Sequence, residues 1–100
     1  MKKLFISQPM NGKTDDEILT ARANAVQAAR DSVGEEVEVI DSFFQDAPAE
    51  ACPLWYLGKS LELLSTADIA YFAPGWGGAR GCRIENQCAK EYGIERIIQA

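Results

Sequence analysis

The stretch from Ala67 to Glu85 sets a carboxylate behind a glycine-rich turn. An apolar run, Ile69-Ala70-Tyr71-Phe72-Ala73, leads into Pro74-Gly75-Trp76-Gly77-Gly78-Ala79-Arg80-Gly81, and a helical pattern then carries Glu85 about one turn in. In open α/β sheets ligands bind beyond the carboxyl ends of the strands, beside helix N-termini. Glycine lets backbone approach a ligand closely, so Gly75, Gly77, Gly78 and Gly81 read as a cradle. An ionised carboxylate at its floor can attack an anomeric carbon from the face opposite the leaving group. The product is a covalent glycosyl intermediate that water or a second acceptor resolves. The amide-rich helix start is expected to keep Glu85 ionised. The blander reading of Glu85 is macrodipole compensation on a solvated face.

Two other segments are expected at the same edge: Ser7-Gln8-Pro9-Met10-Asn11 and Asp41-Ser42. Asp41 and Ser42 follow a strand, and reaching a ribose is the second reading for them, behind a structural one. Trp76 lies in the cradle and either stacks on a base or packs; for Trp55 and Tyr56, core or subunit packing is the first reading and base stacking the second. Arg80 offers a planar fork of donors to a phosphate, or is a solvated loop cation. Asp68, at a strand start, reads as fixing the preceding turn. The loop is neither G-x-G-x-x-G after the first strand nor a P-loop, so neither the usual dinucleotide fold nor an ATPase is supported.

Those residues need a scaffold, and 100 residues make one domain, 1–100. Lys3 to Ser7 reads as a first strand, too apolar to alternate and so central. Asn11-Gly12 is a turn signal. Thr14-Asp15-Asp16-Glu17 is a capping box opening a helix to about Ser32, with Ile18, Ala21, Ala25 and Ala28 on its buried face beside Leu19 and Val26. Gly34 stops it. Residues 36–40 alternate as a second strand nearer an edge, residues 45–53 are a loop, and 54–65 a helix with Leu57, Leu61 and Leu64 on one face. Residues 69–73, 82–92 and 94–98 complete the order as strand, helix and strand, with Ile84, Cys88, Ala89 and Tyr92 turned inward. The pattern βαβαβαβ implies an α/β fold: a mainly parallel sheet of four or five strands with helices on both faces, a three-layer Rossmann- or flavodoxin-like sandwich.

Composition narrows the function classes. The net charge is −5 and no basic run exists, so a nucleic-acid polymer is not an expected partner, whereas a free nucleotide needs only a local cation and backbone amides. There is no histidine, which removes Ser-His and Cys-His pairs and the usual zinc sites; no metal or cofactor is expected. Cys52, Cys82 and Cys88 are odd in number and form no C-x-x-C, which together with the lack of a signal peptide points to reduced thiols in a cytoplasm. No apolar run approaches a membrane span.

Three blocks together resemble a known family: the strand-one turn Gln8-Pro9-Met10; Ser60-Leu61-Glu62-Leu63-Leu64-Ser65-Thr66-Ala67-Asp68, like D-L-x-x-[IL]-x-x-A-D; and Gly81-Cys82-Arg83-Ile84-Glu85, as G-x-x-x-E, followed by Ala89 and Tyr92-Gly93. Over nearly the whole chain the pattern resembles the nucleoside 2-deoxyribosyltransferase superfamily. That superfamily includes deoxynucleoside-monophosphate N-glycosidases and small related phage and bacterial domains. The resemblance implies hydrolysis or deoxyribosyl transfer at a nucleoside or nucleotide N-glycosidic bond. Glu85 would be the nucleophile, and Gln8, Pro9, Met10 and Asn11 would contact sugar or base. It also implies a homodimer or larger homo-oligomer, because neighbouring subunits complete such pockets. Three positions depart from the family pattern: Ser60 replaces the acid that helps protonate the leaving base, Ala79 replaces a polar sugar or phosphate ligand, and Gln87 replaces a glycine. Ser60 and Ala79 favour an alternative, a nucleotide-binding module of the same fold without turnover.

Overall fold

The computed structural model describes residues 1–44 and 47–99; Gln45 and Asp46, in the expected loop 45–53, lie outside the described residues. The elements are β1 (Lys2–Ser7), α1 (Asp15–Val33), β2 (Val37–Val39), α2 (Pro53–Leu64), β3 (Ile69–Phe72), a short 3-10 turn (Trp76–Gly78), α3 (Arg80–Glu91) and β4 (Glu95–Ile98). The sheet has four strands in the order β2-β1-β3-β4, and every pairing is parallel. It is an α/β fold of the Rossmann or flavodoxin-like kind.

The position of β1 follows from its composition. Leu4-Phe5-Ile6 is flanked by strands on both sides, and all three residues are buried. Successive side chains of a strand point to opposite faces. Leu4 and Ile6 therefore pack with Ile69, Tyr71, Ala25 and Ala29 under α1. Phe5 packs with Ala70, Phe72, Leu64 and Ala89 under α2 and α3. Two cores on opposite faces of one sheet make the three layers. Each fully buried Phe, Leu or Ile contributes roughly 1.5–3 kcal/mol, and the four of β1 and β3 with almost no exposure, Leu4, Phe5, Ile69 and Phe72, anchor both cores.

The helix ends follow local rules. The Thr14 hydroxyl accepts from the Glu17 amide at 3.1 Å, while the Thr14 amide donates to Glu17 Oε1 at 3.2 Å. Gly34 adopts φ +81° and its N–H donates to the Arg30 carbonyl. Asp68 ties β3 to β1: its carboxylate accepts from the Lys3 amide at 2.8 Å, and its own amide donates to the Lys3 carbonyl at 2.9 Å. It bridges two strands rather than closing the turn before it.

Two helix faces differ from the sequence expectation. The buried row of α1 is Ile18, Arg22, Ala25 and Ala29, not the row through Ala21 and Ala28, and Leu19 is exposed. The helix is rotated toward Arg22 because that guanidinium finds acceptors at the sheet edge. Tyr92 was expected inside α3 but lies beyond its last residue and is 82% exposed, next to Gly93 at φ +73°, which turns the chain into β4. Among the described residues no helix is long and apolar enough to cross a membrane.

Candidate active site

The parallel sheet brings the ends of β1, β2 and β3 to one edge. There they enclose, with α2 and the start of α3, a hollow of about 920 Å³, within the usual range for small-molecule sites. The β1 turn contributes Gln8, Pro9, Met10 and Asn11; α2 contributes Tyr56 and Ser60; α3 contributes Arg80, Gly81, Cys82 and Glu85. Ser42 and Phe44 line it from the segment after β2.

α3 begins at Arg80, two residues earlier than its sequence pattern indicates, so Glu85 lies in the second turn. The same register buries Cys82, Glu85 and Ala89 along the face toward the sheet. Ser7, the last residue of β1, meets Glu85 there: its Oγ donates to Glu85 Oε1 at 2.6 Å. Burial pushes the Glu85 carboxyl above its usual range, and the Ser7 hydrogen bond and the nearby Ser60 hydroxyl act against that rise. The shift is thus upward, opposite in direction to the one the helix start was expected to impose. The free amides belong to the first turn, whereas the carboxyl one turn further on meets two hydroxyls, and desolvation outweighs them. The Cys82 thiol is raised by burial, with smaller influences of opposite sign from the nearby Ser7 hydroxyl, which lowers it, and the Glu85 charge, which raises it.

Some expected site residues lie elsewhere. Asp41 is exposed and outside the hollow, and its charge acts on Arg22. Trp76 also lies outside: its ring packs edge-on against Phe72, with centroids 5.9 Å apart, and its Nε1 donates to the Gln99 carbonyl at 3.0 Å. The indole fastens the end of β4 rather than facing a ligand. Gly77 is likewise away from the hollow. Gly75 adopts φ +87°, a conformation that favours glycine, and it lies beside Pro9. The β3 loop and the β1 turn are held together at that point. The Arg80 side chain is exposed at the rim, with no hydrogen bond or ion pair among the described residues.

Gln8 lines the hollow, yet both ends of its amide are engaged in the fold. Its Nε2 donates to the Ile18 carbonyl at 3.1 Å, and its Oε1 accepts from Arg22 Nη1 at 3.2 Å. Arg22 also donates to Ser42 Oγ at 3.3 Å and to the Ile40 carbonyl at 3.1 Å. Burial lowers the affinity of its guanidinium for the proton, and Asp41 partly restores it. Sequence reading missed Arg22; the available signal was its place four residues after Ile18 and three before Ala25 on an alanine-rich helix. Cys82, and the contacts of Ser7 and Ser60 with Glu85, were missed as well, because nothing local marks a small polar residue as the neighbour of a distant carboxylate. Tyr56, Trp55 and Phe44 form a cluster of rings at the mouth, with Trp55 5.1 Å from Tyr56 and 5.9 Å from Phe44 between centroids. Among the described residues no group of three or more His, Cys, Asp or Glu side chains could hold a metal ion.

No protein family, curated protein or solved structure matches this chain.

Proposed function

We propose that this chain cleaves or transfers at the N-glycosidic bond of a nucleoside or nucleotide, with Glu85 as the nucleophile. The observation that carries the reading is the meeting of Glu85 with the end of β1. Glu85 is 8% exposed, its carboxyl accepts from the Ser7 hydroxyl, and it lines a hollow of nucleoside size. An oriented, largely dehydrated carboxylate suits attack on C1′. A Glu85 oxygen would form the bond to C1′ while the C1′–N bond breaks, its electron pair leaving with the base. Water, or a second base, then releases the sugar and restores the carboxylate. The resemblance to the nucleoside 2-deoxyribosyltransferase superfamily supports the same assignment through Gly81 and Glu85. Gln8, Pro9, Met10 and Asn11 would bound the sugar and base, and Arg80 would reach a 5′-phosphate from the rim.

The test is base release from a panel of ribo- and deoxyribonucleosides and their monophosphates, followed by chromatography. Release by the native chain that is lost in Glu85→Ala supports the reading; equal release by both overturns it.

A second reading has its own observation. The raised Glu85 carboxyl, flanked by Ser7 and Ser60, also suits a hydrogen-bonding wall that holds a nucleotide without turning it over. That reading expects nucleotide-dependent thermal stabilisation that survives Glu85→Gln, with no base released.

A further inference from the structure

Although Lys13 and Arg80 line the same hollow, among the described residues no cation is paired with the buried carboxyl of Glu85. Its polar neighbours are the hydroxyls of Ser7 and Ser60, and none of the ion pairs among the described residues includes it. An opposite charge nearby favours the ionised form of a buried carboxylate; a hydroxyl supplies only a dipole. The wall at Ser60 also borders a side chamber of about 450 Å³ between α2 and α3. Tyr56, Leu57 and Ile84 line it along with Ser60, Glu85 and Arg80, so the buried end is acidic, the exposed end carries the Arg80 cation, and the walls between are largely aromatic or aliphatic. Aromatic faces attract cations.

The chemistry of departure points the same way. A neutral nucleobase leaves as an anion unless an acid protonates it, and glycosidases commonly use a second carboxylic acid for that step. The α2 side chain that flanks Glu85 is the Ser60 hydroxyl, which is far too weak an acid. A base that already carries positive charge on its ring leaves as a neutral molecule and needs no proton.

We propose that the site takes N-glycosides whose base is a ring cation, a pyridinium or an N7-alkylated purine, with the ring against the Tyr56 wall and the glycosidic carbon facing Glu85. This rests on the N-glycosidic reading above and names its substrate class. The Glu85 carboxylate forms a bond to C1′. The C1′–N bond breaks, and its electron pair neutralises the ring nitrogen. Water then attacks C1′, the ester bond breaks back to Glu85, and one proton passes to solvent.

The experiment compares nicotinamide riboside and 7-methylguanosine with inosine, guanosine and thymidine on the full chain. Free base is followed by chromatography, and each rate is divided by its rate in buffer alone. The expected enhancement is about 100-fold larger for the cationic pair, the usual worth of a general acid that the neutral substrates would lack. It should vanish in Glu85→Ala. Ser60→Asp, which puts an acid on the wall, should raise release from the neutral nucleosides about 10-fold and narrow the gap. Equal or greater enhancement for neutral nucleosides, lost in Glu85→Ala, overturns this inference and leaves the Glu85 reading standing. Release from neither group overturns both. A folded Ser60→Asp chain with an unchanged ratio overturns the proton-supply reasoning; if that variant does not fold, the native comparison still decides.

Discussion

Two buried polar clusters lie side by side at the carboxyl edge of this sheet, and they differ in closure. Under α1, Arg22 donates to Gln8, Ser42 and the Ile40 carbonyl, and the remaining end of the Gln8 amide donates to Ile18. Toward α2 and α3, Glu85 accepts from Ser7, lies near the Ser60 hydroxyl, forms no ion pair among the described residues, and faces the hollow. Burying a charge costs least when hydrogen bonds surround it. The first cluster meets that condition from within and fixes the position of the β1 turn. The second has one internal hydrogen bond, from Ser7, and borders open volume. Buried polarity by itself therefore does not separate the two clusters; the number of hydrogen bonds each makes from within does.

The comparison can be broken in four ways. Under the catalytic reading, Glu85→Ala should lower base release at least about 1,000-fold, roughly 4 kcal/mol in the barrier, while the circular dichroism spectrum stays native. A smaller loss would remove the open cluster from the chemistry. Arg22→Ala should lower the unfolding free energy by about 3 kcal/mol, because it strands buried acceptors at Gln8, Ser42 and Ile40. Urea titration measures this, and a cost below about 0.5 kcal/mol, the level of an ordinary surface substitution, would show that the closed cluster is not structural.

Ser7→Ala sharpens the contrast within the open cluster. Its hydroxyl favours the ionised carboxylate, so its loss should reduce turnover about 10-fold, the worth of one charge-assisted hydrogen bond. The acid limb of the pH–rate profile should also move to higher pH. An unmoved limb would mean that the 2.6 Å contact does not tune Glu85. The smallest effect is on stability. The folded carboxyl is raised above its ordinary value of 4.5, so between that value and the folded one the native state binds more protons than the unfolded chain. Stability then falls as pH rises through this window. Glu85→Gln removes the penalty, so it should melt a few °C higher at neutral pH (about 4–8 °C per kcal/mol for a chain of this size). The gain should fade as pH falls to 4.5 and below. A gain that persists in acid would argue against desolvation as its cause.

Much of the architecture was legible in the sequence. The capping box at Thr14 and the stop at Gly34 are local chemistry, and both occur as expected. The apolar run at Leu4-Phe5-Ile6 marks a central strand, and the alternation around Val37 marks an edge strand, because strand burial depends on how many sides are covered. Glu85 and the β1 turn were both named from sequence and do line one hollow. Asp41 and Trp76 were named too and lie outside it. Position after a strand does not fix which way a side chain points, and an indole that finds an acceptor in Gln99 packs instead.

By itself, then, the sequence determined the order of elements, the parallel sheet and the edge at which the β1 turn and Glu85 come together. Periodicity, caps and crossover length are properties of neighbouring residues. Only the tertiary structure decided the rotation of α1 that buries Arg22, the register of α3 that turns Glu85 toward Ser7, and the pairing of that carboxyl with hydroxyls rather than a cation. Ser7 and Glu85 stand 78 positions apart in the chain. No local rule links residues at such a distance; packing on a shared sheet does.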